Sequence, residues 1–134
     1  MIRRLATSAV LATAALAAPA LAGPRVSIDS AVYVERQQFA GGGPVRSLEP
    51  AQRLNHGDRV VTVVNWYRLA GAGSFTVVNA LPARLAYQGS AREAEEVSVD
   101  GGRNWGHLGA LRVGNLLASA EDVTHVRWHI SEGQ

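Results

Sequence analysis

Apolar and polar positions alternate with a period of two along most of the chain, which predicts strands rather than helices. From Arg25 to Glu35, Val26, Ile28, Val32 and Val34 fall on one face and Ser27, Asp29, Tyr33 and Glu35 on the other, the signature of a half-buried strand. A short piece, Val45 to Leu48, follows. Arg59 to Tyr67 sets Val60, Thr62, Val64 and Trp66 against Val61, Val63, Asn65 and Tyr67. Neither of those faces is strongly polar, so the pattern predicts a strand inside a sheet, covered on both sides. Further strands are expected at Phe75 to Ala80, around Leu85 and Tyr87, at Val97 and Val99, and from Val123 to Ile130, where Thr124, Val126, Trp128 and Ile130 share a face.

Turn chemistry divides these segments. Asn55-His56-Gly57-Asp58 reads as a turn into the long strand, and the Gly- and Ala-rich run Leu69 to Ser74 as a hairpin returning it into Phe75 to Ala80. Leu81-Pro82 breaks a ladder, because proline has no amide proton to donate. Asp100-Gly101-Gly102 predicts a tight turn and another hairpin before Trp105. Gly41-Gly42-Gly43 reads as a flexible connection; neither a helix start nor Lys-Ser/Thr follows it, so it lacks the context of a phosphate cradle. Ala91 to Glu96 has room for one helical turn. Leu108 to Ala120 fits neither period, and Gly114 argues against a continuous helix there. Strands of this length and spacing predict an all-β antiparallel sandwich of about seven short strands.

Residues 1–22 have the pattern of a signal peptide: Arg3 and Arg4, an apolar run from Leu5 to Ala18, and Ala20-Leu21-Ala22 as a small-x-small cleavage site. The run is shorter than the roughly 20 residues a spanning helix needs, so cleavage before Gly23 and no stable membrane insertion afterwards are expected. Removing 22 residues from 134 leaves 112, residues 23–134, the size of a single domain. All thirteen basic residues are arginine and two leave with the signal, so eleven face eleven acids and the formal net charge is zero. That balance lacks the basic footprint of a nucleic-acid binder. With no cysteine, an exported chain has neither a disulfide framework nor a thiolate site.

Several patterns occur in a defined order: Leu54-x-His56-Gly57-Asp58-x-Val60-Val61 into Asn65, then Val77-Val78-Asn79-Ala80-Leu81-Pro82, Leu85-x-Tyr87 and Gly89-Ser90. Val97-Ser98-Val99-Asp100-Gly101-Gly102 and Asp122-Val123-Thr124-His125-Val126-Arg127-Trp128 continue the series. Together they resemble the bacterial conserved-repeat domain known as domain of unknown function eleven, an Ig-like module, over most of the mature chain. The resemblance implies an Ig-like sandwich of exported and surface proteins, acting as a structural or adhesive spacer without enzymatic activity. His56 stands where the pattern usually has proline and Arg84 where it usually has glycine, both changes of turn chemistry. The family pattern also runs past the Trp128 strand into a final strand, whereas this sequence stops at Gln134. The corresponding expectation is a sandwich without its closing strand, an open edge, and donation of Val26 to Val34 between copies.

Candidate chemistry is sparse. His125 and His129 would lie roughly 13 Å apart along one face of a strand, at about 3.3 Å per residue, too far to share a metal ion. They read, with Arg127 and Ser131, as a solvated face; His56 and His107 add no further ligand spacing. Glu93, Glu95, Glu96, Glu121 and Asp122 form acidic clusters with no nucleophile or donor beside them. Asp58 and Asp100 adjoin glycines as turn residues do, without the alternating oxygen ligands of a calcium loop. Trp66 and Trp128 share faces with valines and are expected in the core, leaving Trp105 as the exposed indole. The expected function is therefore that of an exported, periplasmic or extracellular, non-catalytic structural or protein-interaction module without cofactors. Its partner would be another protein or a second copy, joined through an edge strand. The alternative is a small carbohydrate-binding module using Arg103, Asn104, Trp105 and His107.

Overall fold

The computed structural model describes residues 22–92 and 94–134, so all but the last residue of the expected signal peptide, residues 1–22, lie outside the described residues, as does Glu93. The fold is all-β and sandwich-like, built from antiparallel sheets. Its strands are β1 (Arg25–Ala40), β2 (Gly43–Pro50), β3 (Arg59–Ala70), β4 (Phe75–Ala80), β5 (Glu96–Ser98), β6 (Arg112–Val113), β7 (Leu116–Leu117) and β8 (His125–Ile130). One three-stranded sheet has the order β2-β1-β3 and a second the order β4-β8-β5; β6 and β7 form a small ribbon. Among the described residues, no helix is long and apolar enough to cross a membrane.

The first sheet grows from the alternation of β1. Its best-buried residue, Val34, lies opposite Val60, and Val32 beside it is half-buried, while Ile28, opposite Trp66, remains 50% exposed. β1 continues to Ala40, further than its hydrophobic pattern indicates, because a two-residue turn pairs Ala40 with Gly43. Gly41 and Gly42 both hold positive φ, +62° and +97°, as that kind of hairpin turn requires. The triple glycine is thus a tight turn and not a flexible connection. The Asn55 to Asp58 turn forms as expected, with the Asp58 amide donating to the Asn55 carbonyl and the Asn55 amide to the Asp58 carboxylate.

Two expectations about β3 are corrected. It is an edge strand, since β1 is the strand that lies between two neighbours. Its two apolar faces suggested a central position, but alternation reports the faces of a strand and is blind to what lies beside it. Nor does β3 form a hairpin with β4, which pairs instead with β8, Phe75 opposite Ile130 through Ala80 opposite His125. The loop between them carries the chain from one sheet to the other. It is held by Arg68, whose guanidinium donates to the Gly73 carbonyl and lies 5.1 Å from the Phe75 ring centre. Gly71, at φ +79°, lets the loop press against Pro24, where a Cβ would come within 3.1 Å of backbone.

The second sheet supplies the best-buried side chains. Val77 on β4 and Val126 and Ile130 on β8 face inward, as the period of two requires, and Val97 on β5 joins them. Val97, Val123 and Val126 form a cluster against which Leu81, Tyr87, Leu108, Leu111 and Trp128 pack. The segment around Leu85 and Tyr87 is irregular rather than a strand, tied by the Tyr87 amide donating to the Ala120 carbonyl and the Tyr87 hydroxyl to the Glu95 carboxylate. The described residues of 91–95 form no helical turn, and Leu108 to Ala120 resolves into a 3₁₀ turn at Leu108–Ala110 and the β6–β7 ribbon. β8 is paired with β4 along His125–Ile130 and with β5 at His125–Arg127, whereas β1 is paired with β3 along Arg25–Glu35 but with β2 only along Tyr33–Ala40, so Arg25 to Val32 has a strand partner on one side alone.

Candidate functional site

β8 splits its side chains by parity, and its outward row is His125, Arg127 and His129. Register sets Glu96 of β5 opposite Arg127 and Thr76 of β4 opposite His129. Arg127 reaches one Glu96 oxygen with both Nε and a terminal nitrogen at 2.7 Å, and His129 Nε2 lies 3.2 Å from the same oxygen. The Arg127 bond, ahead of the His129 contact, holds the Glu96 carboxyl below its ordinary range. The other nitrogen of His129 meets the Thr76 hydroxyl at 2.9 Å.

Beside this row stands the loop that joins β5 to Trp105. The Ser98 side chain is fully buried; its hydroxyl donates to Asp100 and accepts from the Gly102 amide. Asp100 in turn accepts from the amides of Arg103 and Asn104 and from the Asn104 side chain. Those donors, the Asn104 amide first, pull its carboxyl far below the usual carboxylate range. Paired bonds between Val97 and Gly106 close the loop, so the expected hairpin exists as a wide one. Trp105 Nε1 donates back to the Gly102 carbonyl at 3.0 Å.

Trp105 is half-buried, which corrects the expectation of an open indole. The Arg127 guanidinium sits 4.6 Å from its ring centre and the His125 ring meets it edge-on at 6.5 Å. Of its proposed co-ligands, Asn104 is bound to Asp100, while Arg103 and His107 are exposed and point to no common centre with it through any hydrogen bond. Trp66 and Trp128 are half-buried: Arg92 stacks 5.1 Å from the Trp66 ring centre, and Trp128 donates to the Ser90 hydroxyl. The structure thus unites Trp105 with Glu96, His125 and Arg127. Sequence reading missed that grouping, although the spacing of Ser98, Asp100, Gly102 and Trp105 is a signal for a carboxylate-stapled loop.

A second region is an open hollow of about 460 Å³ lined by Val34, Arg36, Glu49, Gln52, Arg53 and Asn55, among others. Its Arg36 already bridges Asp58 at 2.8 Å and Glu49 at 3.8 Å. Among the described residues no group of three or more His, Cys, Asp or Glu side chains could hold a metal ion. No protein-family model matches the chain, and no match is found among curated proteins or solved structures.

Proposed function

We propose that the chain is an exported, non-catalytic module of the bacterial cell envelope, periplasmic or extracellular, that serves as a structural element or binds protein. The observation that carries this reading is the mutual engagement of the Trp105 surface. Ser98 is buried within its loop, Glu96 is paired with Arg127 and in contact with His129, and His125 contacts the Thr124 hydroxyl. A catalytic site needs a nucleophile or proton carrier poised for a substrate atom, and these groups are committed to one another. The resemblance to Ig-like conserved-repeat modules supports the same reading, as does the export pattern of residues 1–22. A carbohydrate module would stack sugar on the Trp105 ring, the face of which carries Arg127 instead.

The test is site-specific photo-crosslinking in cells exporting the chain, with the photoreactive residue at Tyr67 on β3 or at Arg103 beside Trp105. Protein adducts from Tyr67 are the expected result. No adduct from either position, together with retardation of the pure chain in polysaccharide gels that Trp105→Ala abolishes, would overturn it in favour of sugar binding.

A further inference from the structure

The four outer strands of the two main sheets, and the stretch of β1 from Arg25 to Val32 that β2 does not reach, differ in how well they are protected; that stretch is interrupted by the charge of Asp29. β2 carries Pro44 and Pro50 with Arg46 and Glu49, β5 is three residues long, and β4 is six residues long and ends against Leu81-Pro82. These are the usual devices that keep an edge from recruiting another strand. β3 has twelve residues and none of these devices between Val60 and Tyr67: neither proline nor charge occurs there, and its register with β1 is unbroken from Arg59 to Arg68. Val64, Asn65, Trp66 and Tyr67, consecutive residues of both parities, line one shallow trough, which places it along the strand's margin.

The same segment is self-complementary. About a two-fold axis at Val63, an antiparallel copy sets Val60 opposite Trp66, Val61 opposite Asn65, Thr62 opposite Val64 and Arg59 opposite Tyr67. Arg59 and Tyr67 share the outward face, and both are well exposed, 60% for the Arg59 side chain and 60% for Tyr67. The pairing therefore brings a cation to an aromatic ring at each end of the ladder. Moving the axis by one residue, to Thr62 or Val64, puts Arg59 against Asn65 or Leu69 and loses both cation–aromatic pairs. Two strands related this way keep their inward faces on the same side, so the two three-stranded sheets become one continuous sheet of six.

We propose that β3 is a homodimerisation edge: two copies of the chain join antiparallel through Arg59 to Tyr67, with Val63 facing Val63 across the two-fold axis. This rests on the reading of the chain as an interaction module and names its partner as a second copy. Directly opposed Cα atoms in an antiparallel pair lie about 4.5–5.5 Å apart, within the span of a disulfide. The chain has no cysteine, so an introduced thiol is unique.

The experiment compares V63C with V61C under mild oxidation of the chain beginning at Gly23, alongside light scattering of the unmodified chain and of V63K. Residues at Val61 of the two copies would be roughly 13 Å apart, at about 3.3 Å per residue, and beyond bridging. Expected are a disulfide dimer from V63C at least tenfold faster than from V61C, twice the chain mass for the unmodified protein at high concentration, and a monomer for V63K. Equal rates for the two cysteines, or a monomeric unmodified chain at every concentration, would overturn the proposal. In the second case, in-cell adducts from Tyr67 with a different protein would leave the interaction-module reading standing, and absence of any adduct, together with Trp105-dependent retardation in polysaccharide gels, would remove both.

Discussion

Ser98→Ala is the sharpest perturbation of the Trp105 loop, because it deletes one oxygen from a fully buried position and changes nothing else. That oxygen accepts from the Gly102 amide at 2.9 Å, more weakly from the Asp100 amide at 3.4 Å, and donates to the Asp100 carboxylate at 2.8 Å. Asp100 keeps its bonds from Arg103 and Asn104 after the change. The Gly102 N–H makes no other hydrogen bond among the described residues, and a donor left unpaired away from water costs about 1–3 kcal/mol. For a domain of this size each kcal/mol moves Tm by about 4 °C, so a fall of roughly 4–12 °C is expected. Guanidinium and thermal unfolding at pH 7, followed by tryptophan fluorescence, measure the loss, and hydrogen exchange at Gly102 localises it. Ser27→Ala, at an exposed position of β1, is the control and should stay within about 0.5 kcal/mol of the parent. A Ser98→Ala change equally small, with Gly102 exchange unaltered, would refute the claim that this hydroxyl anchors the loop.

Three further outcomes are expected. Val77→Ala, at a fully buried position, should cost about 2 kcal/mol from lost burial and the residual cavity, whereas its half-exposed neighbour Val78→Ala should be nearly neutral; equal effects in denaturant melts would contradict the sidedness of β4. Asp58, Glu96, Asp100 and Asp122 all have carboxyls held below their ordinary range by hydrogen-bond donors, so their stabilisation is present above the unfolded carboxylate pKa of about 4 and is lost as pH falls below it. Thermal melts should therefore be flat from pH 8 to about 5.5 and fall steeply below about 4, and an unchanged Tm at pH 2.5 would contradict this. Chelator should leave Tm unmoved, since the ring nitrogens of His129 engage Thr76 and Glu96 while His125 Nδ1 engages Thr124; a drop reversed by zinc would show a site that the ring orientations do not suggest.

The sequence carries the faces of the strands and little about their neighbours. Alternation in Arg25 to Glu35 and Val123 to Ile130 predicts which residues turn inward, and Val34, Val126 and Ile130 are buried accordingly. Pairing is another matter: β4 joins β8 across more than forty residues, and only tertiary contact selects that partner over the adjacent β3. Valines on both faces of β3 mimic a covered, central strand, yet its outward positions remain partly open, with Tyr67 60% exposed. The site was legible in part. Trp105, Asn104 and Arg103 are close in sequence, but Glu96, His125 and Arg127 reach Trp105 through strand register, which local patterns do not encode. Asp100-Gly101-Gly102 encodes a turn, and the further order of the loop comes from a buried serine two residues before Asp100.

The open edge of β3 underlies the proposed dimer and the protein contact expected at Tyr67, and residue-resolved amide hydrogen exchange on the dilute chain beginning at Gly23 tests it most directly. An edge strand bonds to its neighbour through alternate residues only, so among the amides from Val60 to Tyr67 every second one should be protected through β1 while those between exchange close to the rate of a free peptide. β8, flanked by β4 and β5, should be protected along its paired length. Uniform protection of Val60 to Tyr67 in the dilute monomer would mean that the edge is covered within a single chain, and the account would be wrong.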